Sequence, residues 1–155
     1  MKNFIPTLLT LLVAFAIPTQ MDAQCKRFAR QRVINTLDQD QILDRITSGT
    51  MVRGESASAV ITIDQAGETA LTLSTHEGLG EVQYLITDAT GQDIASGFVH
   101  GATETISVDI DYPTELIVEV TSEKAASAYT PIGCVAFATS RSLDVDTEFN
   151  LLTKE

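Results

Sequence analysis

Residues 81–99 read EVQYLITDATGQDIASGFV, which is the pattern of two β-strands joined by a tight turn. Val82, Tyr84 and Ile86 alternate with Glu81 and Gln83, as apolar and polar residues do in a strand with one buried face. The next letters, DATG at 88–91, are rich in residues that favour turns. A second run of strand-forming residues begins after them. This stretch therefore predicts a β-hairpin.

The same alternation recurs on both sides of the hairpin, and Gly or Pro residues separate the runs. Seven strands are predicted, at 57–64, 69–76, 81–88, 92–99, 104–110, 114–121 and 132–139. Strands that follow one another about every ten residues, with no helices between them, indicate an antiparallel arrangement. The chain is therefore predicted to be mainly β, a seven-stranded antiparallel β-sandwich of jelly-roll type over residues 54–140.

A basic helical segment is predicted before the sandwich, over residues 24–53. Cys25, Ala29, Val33 and Leu37 recur at the i, i+4 spacing of one helix face. A second short helix is expected from Asp38 or Asp40, either of which could cap it, to about Thr47. After the sandwich, residues 141–155 have no clear period and are expected to form a tail.

The N-terminus has the order of a secretory signal peptide, predicted over residues 1–23. Lys2 supplies the positive charge, Phe4 to Ile17 the apolar run, and Ala23 the small residue before the cleavage point. The apolar run is shorter than the roughly 20 residues that a membrane-spanning helix needs. The protein is therefore expected in the periplasm or at the cell surface, with no transmembrane segment once the signal is removed.

Charge is distributed unevenly along the chain, whose net charge is −11. Residues 24–53 carry six basic and three acidic side chains, whereas residues 54–155 carry 17 acidic and three basic ones. A body this acidic repels the phosphates of nucleic acids, which bind to Lys and Arg. Nucleic acid is therefore excluded as a partner. Solubility is one explanation of the charge, and a basic protein partner or a cation is another.

Two cysteines follow the signal, Cys25 and Cys134. An even pair in an exported chain usually forms a disulfide, and this one would close a loop of about 110 residues. If Val135 and Phe137 point into the core, Cys134 points to the other side of its strand, where the helix could dock. Acylation of Cys25 is the alternative, which would make the chain an envelope lipoprotein, although Gln24 is larger than that pathway prefers.

The strand region resembles the pre-peptidase C-terminal (PPC-like) domain of secreted bacterial peptidases. The similarity lies in YLITDATG at 84–91 and, more loosely, in YPTELIVEV at 112–120. The chain also resembles small exported β-sandwich proteins of Gram-negative bacteria, through CKRFA at 25–29, GES at 54–56 and GCVA at 133–136. These resemblances imply a sandwich fold, export and the pairing of the cysteines. They imply no activity.

Candidate residues for chemistry are scattered. His76 and His100 stand at predicted strand ends without the spacing of a zinc site. Calcium is the one cofactor to weigh, because carboxylates are its preferred ligands. Three acidic clusters could supply them, namely Asp38 with Asp40, Asp109 with Asp111, and Asp144 with Asp146 and Glu148. The clusters lack the Gly and terminal Glu of an EF-hand loop, so solvated side chains are the competing interpretation.

No pattern of a positioned nucleophile and base is present. The sequence therefore predicts a non-enzymatic binding or structural protein, with a protein partner, no catalytic residue, and no metal or cofactor. Two alternatives stay open. The first is an enzyme with a site built from scattered carboxylates, and the second is the lipoprotein anchored through Cys25.

Overall fold

The computed structural model describes residues 21–124 and 131–142. They contain one helix over residues 21–34, here α1, and eight strands. The strands are β1 Gln41–Val52, β2 Ser56–Ile63, β3 Gly67–Thr75, β4 Glu81–Asp88, β5 Asp93–His100, β6 Thr103–Ile110, β7 Thr114–Ser122 and β8 Ile132–Ser142. A short 3-10 helix, Glu77–Leu79, connects β3 to β4.

The strands form two antiparallel sheets of four strands that pack into a sandwich. The first sheet has the order β1-β8-β3-β6, and the second has the order β2-β7-β4-β5. The mainly β sandwich with an N-terminal helix is therefore confirmed, with eight strands where the sequence predicted seven. Leucine, isoleucine and valine side chains from both sheets fill the core between them.

β1 is the strand that the sequence analysis missed. The second short helix expected from Asp38 or Asp40 to Thr47 is wrong, since Gln41–Val52 pairs with β8 along its whole length. Several of its residues are β-branched, which favours a strand. A β-bulge between Leu43 and Arg45 interrupts the register. An inserted residue breaks strict alternation, and this removed the two-residue period from the sequence pattern.

The β4–β5 hairpin is present where residues 81–99 predicted it. The Asp88 carboxylate accepts hydrogen bonds from the backbone N–H groups of Thr90 at 2.8 Å and Gln92 at 2.9 Å. The Thr90 hydroxyl donates to the same oxygen. Gly91 has φ of 84°, a conformation that glycine adopts without steric strain. The turn is therefore specified by the short stretch DATG itself.

α1 lies against the outer side of the first sheet. Cys25, Ala29 and Val33 form its buried stripe, and a disulfide joins Cys25 to Cys134 of β8. Val135 and Phe137 lie in the core, so Cys134 projects from the opposite side of β8, as predicted. Leu37, which was expected to continue the stripe, lies beyond the end of α1 and is half-buried.

Some predicted features lie outside the described residues. They are residues 1–20 of the signal peptide and residues 143–155 of the tail, including the cluster of Asp144, Asp146 and Glu148. The first two tail residues, Arg141 and Ser142, belong to β8. The segment 24–53 contains α1 in its first half and β1 in its second.

Candidate functional site

The outer side of the second sheet is the candidate interaction surface, here called the open face. Inward residues such as Ile61, Tyr84 and Val118 fill the core. Their neighbours along each strand therefore point outward. The open face consists of Ser56, Ser58, Val60 and Thr62 of β2, Glu115, Ile117, Glu119 and Thr121 of β7, Glu81, Gln83, Leu85 and Thr87 of β4, and Ser96, Phe98 and His100 of β5.

Four apolar side chains form a diagonal stripe across this face. Val60 is opposite Ile117 in the β2–β7 pairing. Leu85 is one diagonal step from Ile117, and Phe98 is one diagonal step from Leu85. Directly opposite residues have Cβ atoms about 5 Å apart and diagonal ones about 7–8 Å, so large side chains lie within reach of one another along the row. The two ends of the stripe, Val60 and Phe98, are 60% and 61% exposed.

Carboxylates border the stripe. Glu119 is opposite both Ser58 and Leu85, while Glu115 is opposite Thr62 on the other side of Ile117. Both glutamates are exposed. The four strands of this sheet contain no lysine or arginine. The open face therefore combines apolar contact area with negative charge that has no basic neighbour on the same sheet.

The outer side of the first sheet, here called the covered face, has the opposite character. Its outward residues are small, and they are buried although they point away from the core: Thr72, Ser74, Ala136 and Ala138. α1 presents its buried stripe to this face and turns Lys26, Arg27, Arg30 and Arg32 to solvent. The molecule is thus basic on the helix side and acidic on the open face.

Some of the polar side chains near the two ends of α1 make defined contacts. Lys26 forms an ion pair with Asp22 at 3.6 Å. Arg32 lies over the ring of Phe28 at 5.6 Å from its centroid, and the Phe28 ring meets His76 edge-on at 6.1 Å between centroids. The contact between Phe28 and His76 links the helix to the 3-10 turn at the end of β3.

The two histidines are exposed and stand apart. His76 caps the 3-10 helix, since its Nδ1 accepts a hydrogen bond from the backbone N–H of Gly78 at 3.1 Å. His100 ends β5 opposite Glu81. Both therefore lie at strand ends, as the sequence predicted.

The acidic pairs proposed as calcium ligands do not gather. Among the described residues, no three His, Cys, Asp or Glu side chains come together in a group that could hold a metal ion. Asp109 lies on the edge strand β6 opposite Glu68, whose carboxylate accepts a hydrogen bond from Ser107. Asp38 and Asp40 lie in the loop before β1.

Two acidic groups have shifted pKa values, and each has a structural explanation. Burial and a 2.8 Å hydrogen bond to Glu104 raise the pKa of Tyr84 to about 12. Tyr84 packs so closely on Gly97 that a Cβ at position 97 would lie 2.7 Å from the phenol oxygen. Hydrogen bonds from the Thr90 side chain and the Gln92 backbone lower the pKa of Asp88. Tyr84 stabilises the packing of the sheet, and Asp88 stabilises a turn.

A polar cleft of about 190 Å³ opens at one end of the sandwich, beside the bulge of β1. Arg141 lies in its wall and forms an ion pair with Asp44, Nε to Oδ1 at 3.2 Å. The guanidinium also donates to the side chain of Gln65. These partners engage Arg141, while Arg45, Asp64 and Glu68 also line the cleft.

The disulfide is the one predicted site that the structure assembles. Cys25 and Cys134 are 109 residues apart in sequence and 5.2 Å apart between Cα atoms. The open face was not anticipated, although a signal was present. Val60 and Ile117 are apolar at strand positions where alternation predicts polar residues. Such residues mark an outward surface that is not purely solvated.

Within the described residues, no helix is long and apolar enough to cross a membrane. No family model matches the chain, and no curated protein matches it either. The resemblances to PPC-like domains and to small exported sandwich proteins therefore remain predictions.

Several solved structures share parts of the fold. The periplasmic inhibitor of g-type lysozyme PliG from Aeromonas hydrophila is 11% identical with a TM-score of 0.42, covering 62% of this chain and 83% of that one. The acetyl xylan esterase Est2A from Butyrivibrio proteoclasticus is 16% identical with a TM-score of 0.38, covering 70% and 31%. The infectious bursal disease virus VP2 subviral particle is 12% identical with a TM-score of 0.35, covering 66% and 34%. At such identities and TM-scores, these likenesses do not bear on the function of the chain.

Proposed function

We propose that this chain is a non-enzymatic binding protein of the periplasm or cell surface, and that it binds a positively charged protein through its open face. The observation that carries the proposal is the apolar stripe from Val60 to Phe98, bordered by Glu115 and Glu119 on a sheet whose strands contain no lysine or arginine. Location outside the cytoplasm is supported by the signal-like N-terminus and by the disulfide, which persists in oxidising compartments.

Neighbouring apolar side chains that form a continuous row are unusual on a surface that contacts only solvent. At protein interfaces, an aromatic residue commonly supplies much of the binding energy, and polar residues at the rim exclude water around it. Phe98 has the exposure and the neighbours for the first role, and Glu119 for the second. The open face therefore has the composition of an interface.

The charge of the face and of the chain selects the partner. The net charge of −11 repels acidic proteins and attracts basic ones. Complementary potentials accelerate encounter and oppose wrong partners, and both effects weaken as salt is added. The partner is therefore expected to carry lysine or arginine around an apolar centre.

The lipoprotein alternative requires a free thiol at Cys25, and in this fold that sulfur is bonded to Cys134. The enzyme alternative would gain support from carboxylates with shifted pKa values around one cavity. Among the described residues the resolved shifts belong to Tyr84 and Asp88. These two groups act within the fold, which is why we favour binding.

A pair of charge variants tests the proposal. A native envelope extract is first separated on a cation-exchange resin. The fraction that binds the resin is the probe, and it is passed over the immobilised protein. Glu119→Lys should lower retention of the specific partner about tenfold at low salt. A tenfold loss corresponds to roughly 1.4 kcal/mol of binding free energy. Asp109→Lys makes the same charge change on the first sheet, and this variant should still retain the partner.

A pair of aromatic variants provides the second arm. Phe98→Ser should reduce retention at least tenfold, as expected for an interface anchor. Tyr112→Ser removes an equally exposed aromatic ring, 66% exposed, from the turn before β7 and should have little effect. Retention that is equal for all four variants, or that depends on Asp109 and Tyr112, would refute binding at the open face.

A further inference from the structure

The four edge strands of the sandwich differ in how well they are protected against pairing with another chain. Among the described residues, the edges are β1 and β6 in the first sheet and β2 and β5 in the second. β1 carries a bulge and the charged residues Asp44 and Arg45. β6 carries Glu104 and Asp109. Charges and bulges are the usual means by which proteins prevent strands from adding to an open edge.

β5 is protected as well. Its pairing with β4 shifts register beside Ile86, and its sequence contains Asp93 and Gly97. Three of the four edges therefore carry a bulge, a charge or both.

β2 has none of these features. Its eight residues, SASAVITI, include no charged residue, glycine or proline. They pair one for one with β7 without a bulge. Ser56, Ala57, Ser58 and Val60 are exposed. The strand is thus a flat, neutral edge in a chain that is otherwise highly charged.

The direction of the free backbone groups of β2 follows from one hydrogen bond. The N–H of Ser122 donates to the carbonyl oxygen of Glu55 at 3.1 Å, just before β2 begins. In antiparallel pairs, residues alternate between directing both backbone groups at the partner strand and directing both away from it. Odd-numbered residues of β2 therefore face β7. Even-numbered residues, including Ser58 and Val60, direct N–H and C=O to the open edge.

The charges at the two ends of β2 determine what can pair with it. Glu55 precedes the strand and Asp64 follows it, and both are exposed. If a second copy paired antiparallel through β2, the acidic end residues of the two copies would approach each other. Like charges at both ends of a seam oppose self-pairing. A strand with basic residues at both ends would instead be attracted.

We propose that β2 accepts an extended segment of the cationic partner as an added strand, neutral and β-branched in its centre and basic at both ends. The added strand would extend the second sheet beside the open face. This inference rests on the proposed function for the charge of the partner. Its test uses synthetic peptides, so that its failure is distinguishable from failure of binding at the open face.

The probe is a peptide with eight alternating threonine and valine residues and two lysines at each end. Its control replaces all four lysines with glutamates. Amide hydrogen exchange of the whole protein is followed residue by residue by NMR. The lysine peptide should slow exchange at Ser58 and Val60 at least tenfold, whereas Ala57 and Ala59, already bonded to β7, should change little.

Ser58→Pro removes a backbone donor from the open edge, where proline is tolerated. It should weaken binding of the lysine peptide about tenfold, while Ser96→Pro on the edge strand β5 should not. Circular dichroism checks that each variant folds. If Ser58→Pro does not fold, the exchange measurement on the unmodified chain decides whether β2 binds the peptide.

Exchange at Ser58 and Val60 that is unaffected by the lysine peptide would overturn the inference, even if Glu119→Lys still released the partner. Equal binding of both peptides would overturn the charge argument. Dimerisation of the protein alone, with protection at the same two amides, would replace the added strand by a second copy.

Discussion

The two outer faces of this sandwich are built from the same alternating pattern, but a helix covers one of them and the other is exposed. On the first sheet the buried outward residues of β3 and β8 are alanine, serine and threonine, and α1 packs over this side with Ala29 and Val33. On the second sheet the outward residues include Phe98 and Leu85, and no described element covers them. Small side chains allow a helix to approach closely, whereas large apolar ones bordered by carboxylates present contact area to another molecule. Side-chain size and charge at outward positions therefore distinguish an internal seam from an exposed interface.

The covered face depends on the disulfide, whose removal is expected to have the largest effect on stability. Cys25→Ser with Cys134→Ser opens a loop between residues 109 apart. In the chain-entropy model, a loop of about 100 residues corresponds to nearly 5 kcal/mol at 25 °C. We expect the free energy of unfolding to fall by about 3–5 kcal/mol in urea titrations. A fall below about 1 kcal/mol would show that α1 does not depend on this link.

A matched pair of valines compares the two faces directly. Val33 is 0% exposed on the buried side of α1, and Val60 is 60% exposed on the open face. Val33→Ala should lower the free energy of unfolding by about 2 kcal/mol through lost burial and a cavity. Val60→Ala should change it by less than about 0.5 kcal/mol. Urea unfolding of both variants is the measurement, and equal losses would contradict the assignment of covered and open faces.

The inner side of the second sheet gives a smaller, pH-dependent effect. Because the pKa of Tyr84 in the folded protein is about 12, and the unfolded value is about 10, the neutral hydroxyl favours the folded state. This contribution is complete below pH 10 and is lost as pH rises through 12. The free energy of unfolding should therefore fall more steeply between pH 10 and 12 in the wild type than in Tyr84→Phe.

Tyr112→Phe is the control for that titration, since Tyr112 is largely exposed. It should follow the wild-type curve. Parallel curves for all three proteins would mean that Tyr84 does not couple ionisation to folding.

The sequence was sufficient for the sandwich because its strands alternate clearly and because short stretches such as DATG at 88–91 specify their own turns. It was also sufficient for the side of β8 on which Cys134 lies, since Val135 and Phe137 fix the inward direction. β1 was not predicted because its bulge at Leu43 and Arg45 interrupts the two-residue alternation. In addition, its stabilisation comes from pairing with β8, a contact nearly 100 residues away in sequence.

The open face could not be read from the sequence for a different reason. Val60, Leu85, Phe98 and Ile117 come from four strands, and their proximity depends on the order of the strands and on their register. Neither is encoded in local alternation. Each residue taken singly is an ordinary apolar side chain at an outward strand position, and only the register places them in one stripe.

The most direct test of the account is photo-crosslinking from two positions in the native envelope. A photoreactive amino acid replaces Phe98 on the open face or Asp109 on the first sheet, both of which are exposed. The account predicts that position 98 forms a crosslink to a basic protein, that position 109 does not, and that Glu119→Lys abolishes the product. Equal crosslinking from both positions, or an acidic protein captured at position 98, would contradict it.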